Sequence, residues 1–160
     1  MRFAGAFITA IVVSVRMTEH VLVPVDESAQ SMKALDFAVE EYPDARITAL
    51  HVIDPRDFYG AAGIEGAAMT NFEGMREAHE GQAEKLLEDA RERAAAAGGD
   101  VETDHELGNA SREIIEYAGD QDVDHIVIGS HGRTGAGRIL LGSVAERVAR
   151  RAPVPVTIVR

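Results

Sequence analysis

The sequence predicts an α/β fold, a parallel sheet with helices on both faces, and three observations carry that expectation. Short apolar runs rich in branched residues alternate strictly with segments of helical period, in the order β-α-β-α-β-α-β-α-β. Several of those runs are apolar almost throughout, as strands covered on both faces must be. The chain has 160 residues and shows neither an internal repeat nor a linker, so one domain with right-handed crossovers accounts for it.

The elements follow in order. HVLVPVD (20–26) is a short strand, and SAQSMKALDFAVEEY (28–42) places Met32, Leu35, Val39 and Tyr42 at helical spacing. ARITALHVID (45–54) reads as a buried strand. Residues 55–70 hold Pro55, Gly60, Gly63 and Gly66 and read as a mobile loop. A long helix over about 71–97 sets Phe72, Met75, His79, Ala83, Leu86 and Ala90 on one face, and Gly98-Gly99 ends it. VETDHELG (101–108) alternates as a half-exposed edge strand. Asn109 caps a helix to about 119, with Ile114, Ile115 and Ala118 facing inward. DHIVIGS (124–130), a glycine-rich loop, a helix over about 143–152 and VPVTIVR (154–160) complete the set.

Composition limits the function. Apolar residues make up 46%, enough for an ordinary core. A net charge of −11 argues against a general nucleic-acid binder, and no apolar run reaches the ~18 residues of a membrane span. With no cysteine there is no disulfide, thiol chemistry or cysteine-ligated zinc. His20, His79, His105 and His125 give no metal-ligand spacing. His51 reads as a satisfied histidine of the core or of a pocket edge, and His131 as a loop residue. Only Lys33 and Lys85 are lysine, against 14 arginines. Such an acidic, lysine-poor surface fits a high-salt cytoplasm, and a GC-rich genome gives the same bias.

Residues 1–16, MRFAGAFITAIVVSVR, are apolar, with an arginine ahead of the apolar run and no clear cleavage site. Met17 offers a second start, MTEHVLVPVD, and we read the domain as 17–160. A leader or a peripheral extra segment is the alternative for 1–16.

Charge is unevenly spread. Residues 131–160 carry six arginines against one acid, Glu146, a local +5, while the other 130 residues carry ten basic and 26 acidic side chains, or −16. A basic tail on an acidic body fits an anion site or an ordinary arginine-rich surface helix. Within it, residues 129–143 join a strand to a helix through a run of glycines. Glycine lets backbone N–H groups turn toward an anion, and a helix start favours negative charge. Ser143 and Glu146 match a capping box, and the Ser143 hydroxyl serves as a cap, a phosphate donor or both. The loop has no G-x-x-x-x-G-K-[ST], so it places no lysine on β/γ-phosphates, and no G-x-G-x-x-G after the first strand. Asp26 ends the first strand where such sheets bind ligands. It is placed to accept a ribose or adenine hydrogen bond, or to cap the helix entry.

What the loop does show is G-x2-G-x9-G-[ST], at Gly129, Gly132, Gly142 and Ser143. That spacing resembles the nucleotide-binding signature of the universal stress protein family. LVPVDES, ALHVID, GNASREII, DHIVIGSHGRTG and LLGSVAERVARRAPVPVTIV also look like that family, in its usual order, over roughly 18–160. The resemblance implies a Rossmann-like five-stranded parallel sheet of order 3-2-1-4-5. It implies ATP as the ligand, with Mg²⁺ carried by the nucleotide. Pro24, Val25 and Asp26 would line the nucleoside pocket, the Val52 backbone would meet adenine, and Ile128 would lie beneath it. Gly129, Gly132, Gly142, Ser143 and Val144 would hold phosphates. Arg133 and Arg138, in the same loop, are expected as electrostatic helpers, a reading of their charge that the resemblance does not supply. It also implies a homodimer through the last strand, 154–160; Pro153, Pro155 and Arg160 allow an unpaired, blunted edge instead.

The expected function is therefore a cytoplasmic, ATP-binding regulator of stress response. A slow ATPase or nucleotidyl transferase, or a dimeric module that binds no nucleotide, is the alternative. The loop offers no lysine, no placed base and no catalytic residue, so any hydrolysis is expected to be slow. A signalling receiver domain is disfavoured: Asp26-Glu27 stands at its first acidic site, but Gly108, not an aspartate, ends the third strand.

Overall fold

The computed structural model describes residues 17–58, 72–131 and 140–160. It contains β1 (His20–Pro24), α1 (Ala29–Glu41), β2 (Arg46–Ile53), a 3₁₀ turn (Pro55–Phe58), α2 (Phe72–Ala96), β3 (Glu102–Leu107), α3 (Ala110–Asp120), β4 (His125–Gly129), α4 (Ser143–Arg151) and β5 (Val156–Val159). The five strands form one parallel sheet of order β3-β2-β1-β4-β5. The expectations for 1–16, for most of the 55–70 loop and for the centre of the glycine loop fall outside the described residues.

Strand alternation splits the core in two. Val21, Val23, Ile47, Ala49 and Val127 point to one face, where α1 and α2 cover them with Leu35, Ala38, Leu87 and Ala90. Leu22, Leu50, Ile126 and Ile128 point to the other, beneath Ile114 and Ala118 of α3 and Ala145 and Val148 of α4. The helix ends are built from local chemistry. Ser28 caps α1 through a hydrogen bond from the Ser31 amide, and Asn109 caps α3 through one from the Arg112 amide. Gly98, at φ 82°, closes α2 with the Gly99 amide on the Ala94 carbonyl and its own on Ala95, a Schellman end.

Three local expectations change. The α2 stripe is Ala83, Leu87, Ala90 and Ala94, with Leu86 only half-buried and Phe72 exposed. Both leucines suit the helical spacing, and the small residues that let α2 sit close on the sheet choose Leu87. Ser143 is the first residue of α4, not its cap: Gly142 holds the cap position with no side-chain hydrogen bond. Glu146 accepts from Arg150 instead, at 3.1 Å, so no capping box forms. β5 begins at Val156, after two prolines that carry no N–H for a ladder.

The amino end of the sheet holds two histidines. His20 is buried, with Nε2 2.8 Å from the Thr48 hydroxyl and Nδ1 2.8 Å from an Arg46 guanidinium nitrogen. Burial first and Arg46 second lower its pKa. His125 bonds the Thr157 hydroxyl at 2.8 Å, and burial lowers its pKa too. Both rings fold neutral, so the unfolded chain binds more protons than the native one as pH falls below the ordinary value of 6.5. Their contribution is complete above pH 6.5 and is lost as pH drops toward the lowered native values. Urea midpoints at pH 7.5 and 5.5 check this: a His20→Gln, His125→Gln variant has a flatter pH dependence than the natural chain.

Candidate functional site

β1 and β4 are neighbours, and from their carboxyl ends α1 leaves to one face of the sheet and α4 to the other. Strand order reverses here, which opens a crevice. A cleft of about 460 Å³ fills it, a volume suited to a small ligand.

The structure brings most of the predicted residues to this cleft. Pro24, Val25, Asp26, Val52, Ile128, Gly129, Gly142, Ser143 and Val144 all line it. Gly132, Arg133 and Arg138 lie outside the described residues. The floor is apolar, with Leu50, Val52 and Ile128 from the sheet facing Ile114 of α3 and Val144 and Ala145 of α4. Apolar side chains of the sheet and of the two helices thus share one wall of the cleft.

The polar groups sit at its rim. Asp26 follows β1, and its Oδ1 accepts the Ser28 amide at 2.8 Å, so it serves the helix entry. Among the described residues its Oδ2 takes no hydrogen bond. The Ser31 hydroxyl donates to the Asp26 carbonyl at 2.9 Å and accepts its amide at 3.1 Å, fixing this corner. The Val25 amide reaches the Leu50 carbonyl at 2.8 Å, which shows which groups of β2 face β1. Val52 lies two residues on, so its N–H and C=O point the same way, past the last β1–β2 pair at Pro24 and Leu50. The backbone edge of Val52 is thereby offered to the cleft.

At the opposite wall α4 begins. Its first intrahelical bond runs from the Glu146 amide to the Gly142 carbonyl at 2.9 Å, so the amides of Ser143, Val144 and Ala145 have no helical acceptor. All three residues line the cleft. The Gly142 amide donates to the Ser130 carbonyl at 2.7 Å, and the Ser130 amide to the Val159 carbonyl at 2.7 Å. These bonds clamp the two ends of the glycine loop together.

Gly129 meets a second demand. A Cβ there would lie 2.7 Å from the Gln30 carbonyl carbon and 2.8 Å from the Ser31 amide nitrogen, both backbone. The first turn of α1 approaches β4 that closely only because the side chain is missing.

Several lining residues escaped the sequence reading. Asp54, Arg56 and Asp57 follow β2, and Asn109 and Ser111 follow β3. The rule that ligands meet the carboxyl ends of strands would have found them. Arg56 is tied to Asp54, with Nε 3.0 Å from each carboxylate oxygen, and that hydrogen bond, ahead of the charge attraction, raises its pKa. Arg147 lies one turn after Ser143 and was legible from that spacing. Of the basic tail's described arginines, it is the one that lines the cleft; Arg150 pairs with Glu146. His51 is a pocket-edge histidine, 7% exposed, whose Nδ1 donates to the Val25 carbonyl at 2.8 Å. His131 lines the cleft with Nδ1 2.9 Å from the Ser130 hydroxyl. Among the described residues, no three carboxylate or imidazole groups gather to hold a metal ion.

Known proteins resemble this chain in sequence and in fold. Residues 17–160 match the Universal stress protein family. The chain is 36% identical over 145 residues to universal stress protein MJ0531 of Methanocaldococcus jannaschii, covering 89% of this chain and 82% of that one. The solved structure of MJ0577, from the same organism, superposes with a TM-score of 0.75 at 30% identity, over 89% of this chain and 96% of that one. A universal stress protein solved in complex with cAMP superposes with a TM-score of 0.63 at 29% identity, over 90% and 98%.

Proposed function

Because the chain belongs to the universal stress protein family, we propose that its cleft binds an adenine nucleotide, ATP foremost, and that the protein is a nucleotide-dependent regulator in stress response. The observation that carries this reading is the meeting of two chemistries in one cleft. An apolar wall shares the cleft with the start of α4, whose first amides have no helical acceptor. A purine suits the first, and a phosphate suits the second. The Val52 backbone would meet the base edge, Ile128 would lie beneath it, and Asp26 Oδ2 would accept from a ribose hydroxyl. Gly132 and Arg133 would complete the phosphate side. Mg²⁺ would come with the nucleotide, held by phosphate oxygens and water, its preferred ligands.

Occupancy would change the surface that the protein offers to a protein partner. β5 ends the sheet with four half-buried residues, Val156–Val159, and would pair with a second copy of the chain. Among the described residues no helix is long and apolar enough to cross a membrane. We place the protein in the cytoplasm, where ATP is abundant.

Calorimetric titration of the full chain with ATP and Mg²⁺, AMP and cAMP tests the reading. Saturable binding of ATP, tighter than AMP, is the expected result. No binding of any of the three, at low and at high salt, would overturn it.

A further inference from the structure

Two cations of the described cleft differ in their engagement. Arg56 is gripped by both oxygens of Asp54. Arg147 has no carboxylate partner among the described residues. It reaches from the second turn of α4 toward α3, where one Nη donates to the Ser111 hydroxyl at 3.3 Å. Ser111 is 2% exposed and in turn donates to the Asn109 side chain at 2.9 Å. A bond of 3.3 Å to a neutral hydroxyl is a weak hold on a guanidinium. Arg147 shares a helix face with Ser143, four residues before it, and helical side chains lean toward the helix amino end. Its guanidinium therefore leans toward the turn that offers its amides to the cleft.

We propose that Arg147 sets the charge preference of the cleft: it rests on Ser111 and turns onto the phosphate chain of a ligand seated at the start of α4. The proposal deepens the nucleotide reading and rests on it for the position of the phosphates. A planar fork can replace one long neutral bond with two charge-assisted ones, so the gain grows with the ligand's phosphate charge. Adenosine, which has no phosphate, gains nothing.

The test titrates ATP, AMP, adenosine and inorganic triphosphate into the natural chain, R147Q and R147K. R147Q is expected to lose about 10- to 100-fold in affinity for ATP and for triphosphate, the range of a hydrogen bond to a charged group. Its affinity for adenosine stays within about twofold, and R147K recovers part of the loss because charge returns without the fork. Unchanged ATP affinity in R147Q overturns the proposal. An equal loss for adenosine overturns it too, since that is the mark of a residue that only shapes the cleft. Triphosphate binding that depends on Arg147, with ATP no better than triphosphate and adenosine unbound, upholds it while the nucleotide reading fails. Failure of the natural chain to bind even triphosphate ends both.

Discussion

Gly129→Ala is expected to destabilise the fold by about 3 kcal/mol, the upper part of the usual range for overpacking. At this chain length that corresponds to a melting temperature lower by about 6–12 °C. The added methyl would lie under 3.0 Å from three backbone atoms of Gln30 and Ser31. Backbone in the first turn of a helix has little room to give. That turn is held by the Ser28 cap and by the Ser31 hydroxyl on the Asp26 carbonyl. Retreat of α1 would break both and shift Asp26 out of the cleft corner, so ligand binding should fall with stability. Thermal melts of the natural chain and the variant give the answer. A shift under 2 °C would mean that α1 slides freely, contrary to its hydrogen bonds.

Ser143→Glu is expected to move stability and binding in opposite directions. Ser143 is the first residue of α4, not its cap, and among the described residues no hydrogen bond of its side chain holds the helix end. A carboxylate in the first turn of a helix stabilises it by about 0.3–1 kcal/mol. Beside a phosphate the same carboxylate repels. At about 4 Å and an effective dielectric near 20, each unit-charge pair costs about 4 kcal/mol before salt screening. An exposed site keeps part of that, and a loss of at least about 100-fold in ATP affinity follows. Melting temperature and calorimetric titration on one preparation separate the two effects. ATP affinity within tenfold of the natural chain would remove Ser143 from the phosphate side.

Those two positions show what could be read from the residues and what could not. The glycine spacing marks Gly129 and Ser143 in the sequence itself, because the pattern lies in one stretch of chain. The packing reason for Gly129 could not be read there. It depends on Gln30 and Ser31, about a hundred residues earlier, which only the close approach of α1 to β4 brings near. Of the roles open to Ser143, the cap falls away: S-x-x-E fits a register starting at 143, while Gly142 holds the cap position and bonds Ser130. The sheet was legible from alternation because each strand carries its own apolar run. The choice between Leu86 and Leu87 was not, since neighbouring positions fit the same helical spacing and the sheet decides. Arg147 was counted only as charge; its place in the cleft appears once α3 packs beside α4.

The clamp at the root of the glycine loop has an evolutionary side. Ser130 and Gly142, the two ends of the glycine loop, meet at one point, where Gly142 bonds Ser130 and Ser130 bonds Val159. A segment anchored in this way behaves as an interchangeable cassette. Doubling its length adds only about 0.6 kcal/mol of closure entropy. Descendants of such a chain can trade loop sequences while inheriting the same scaffold.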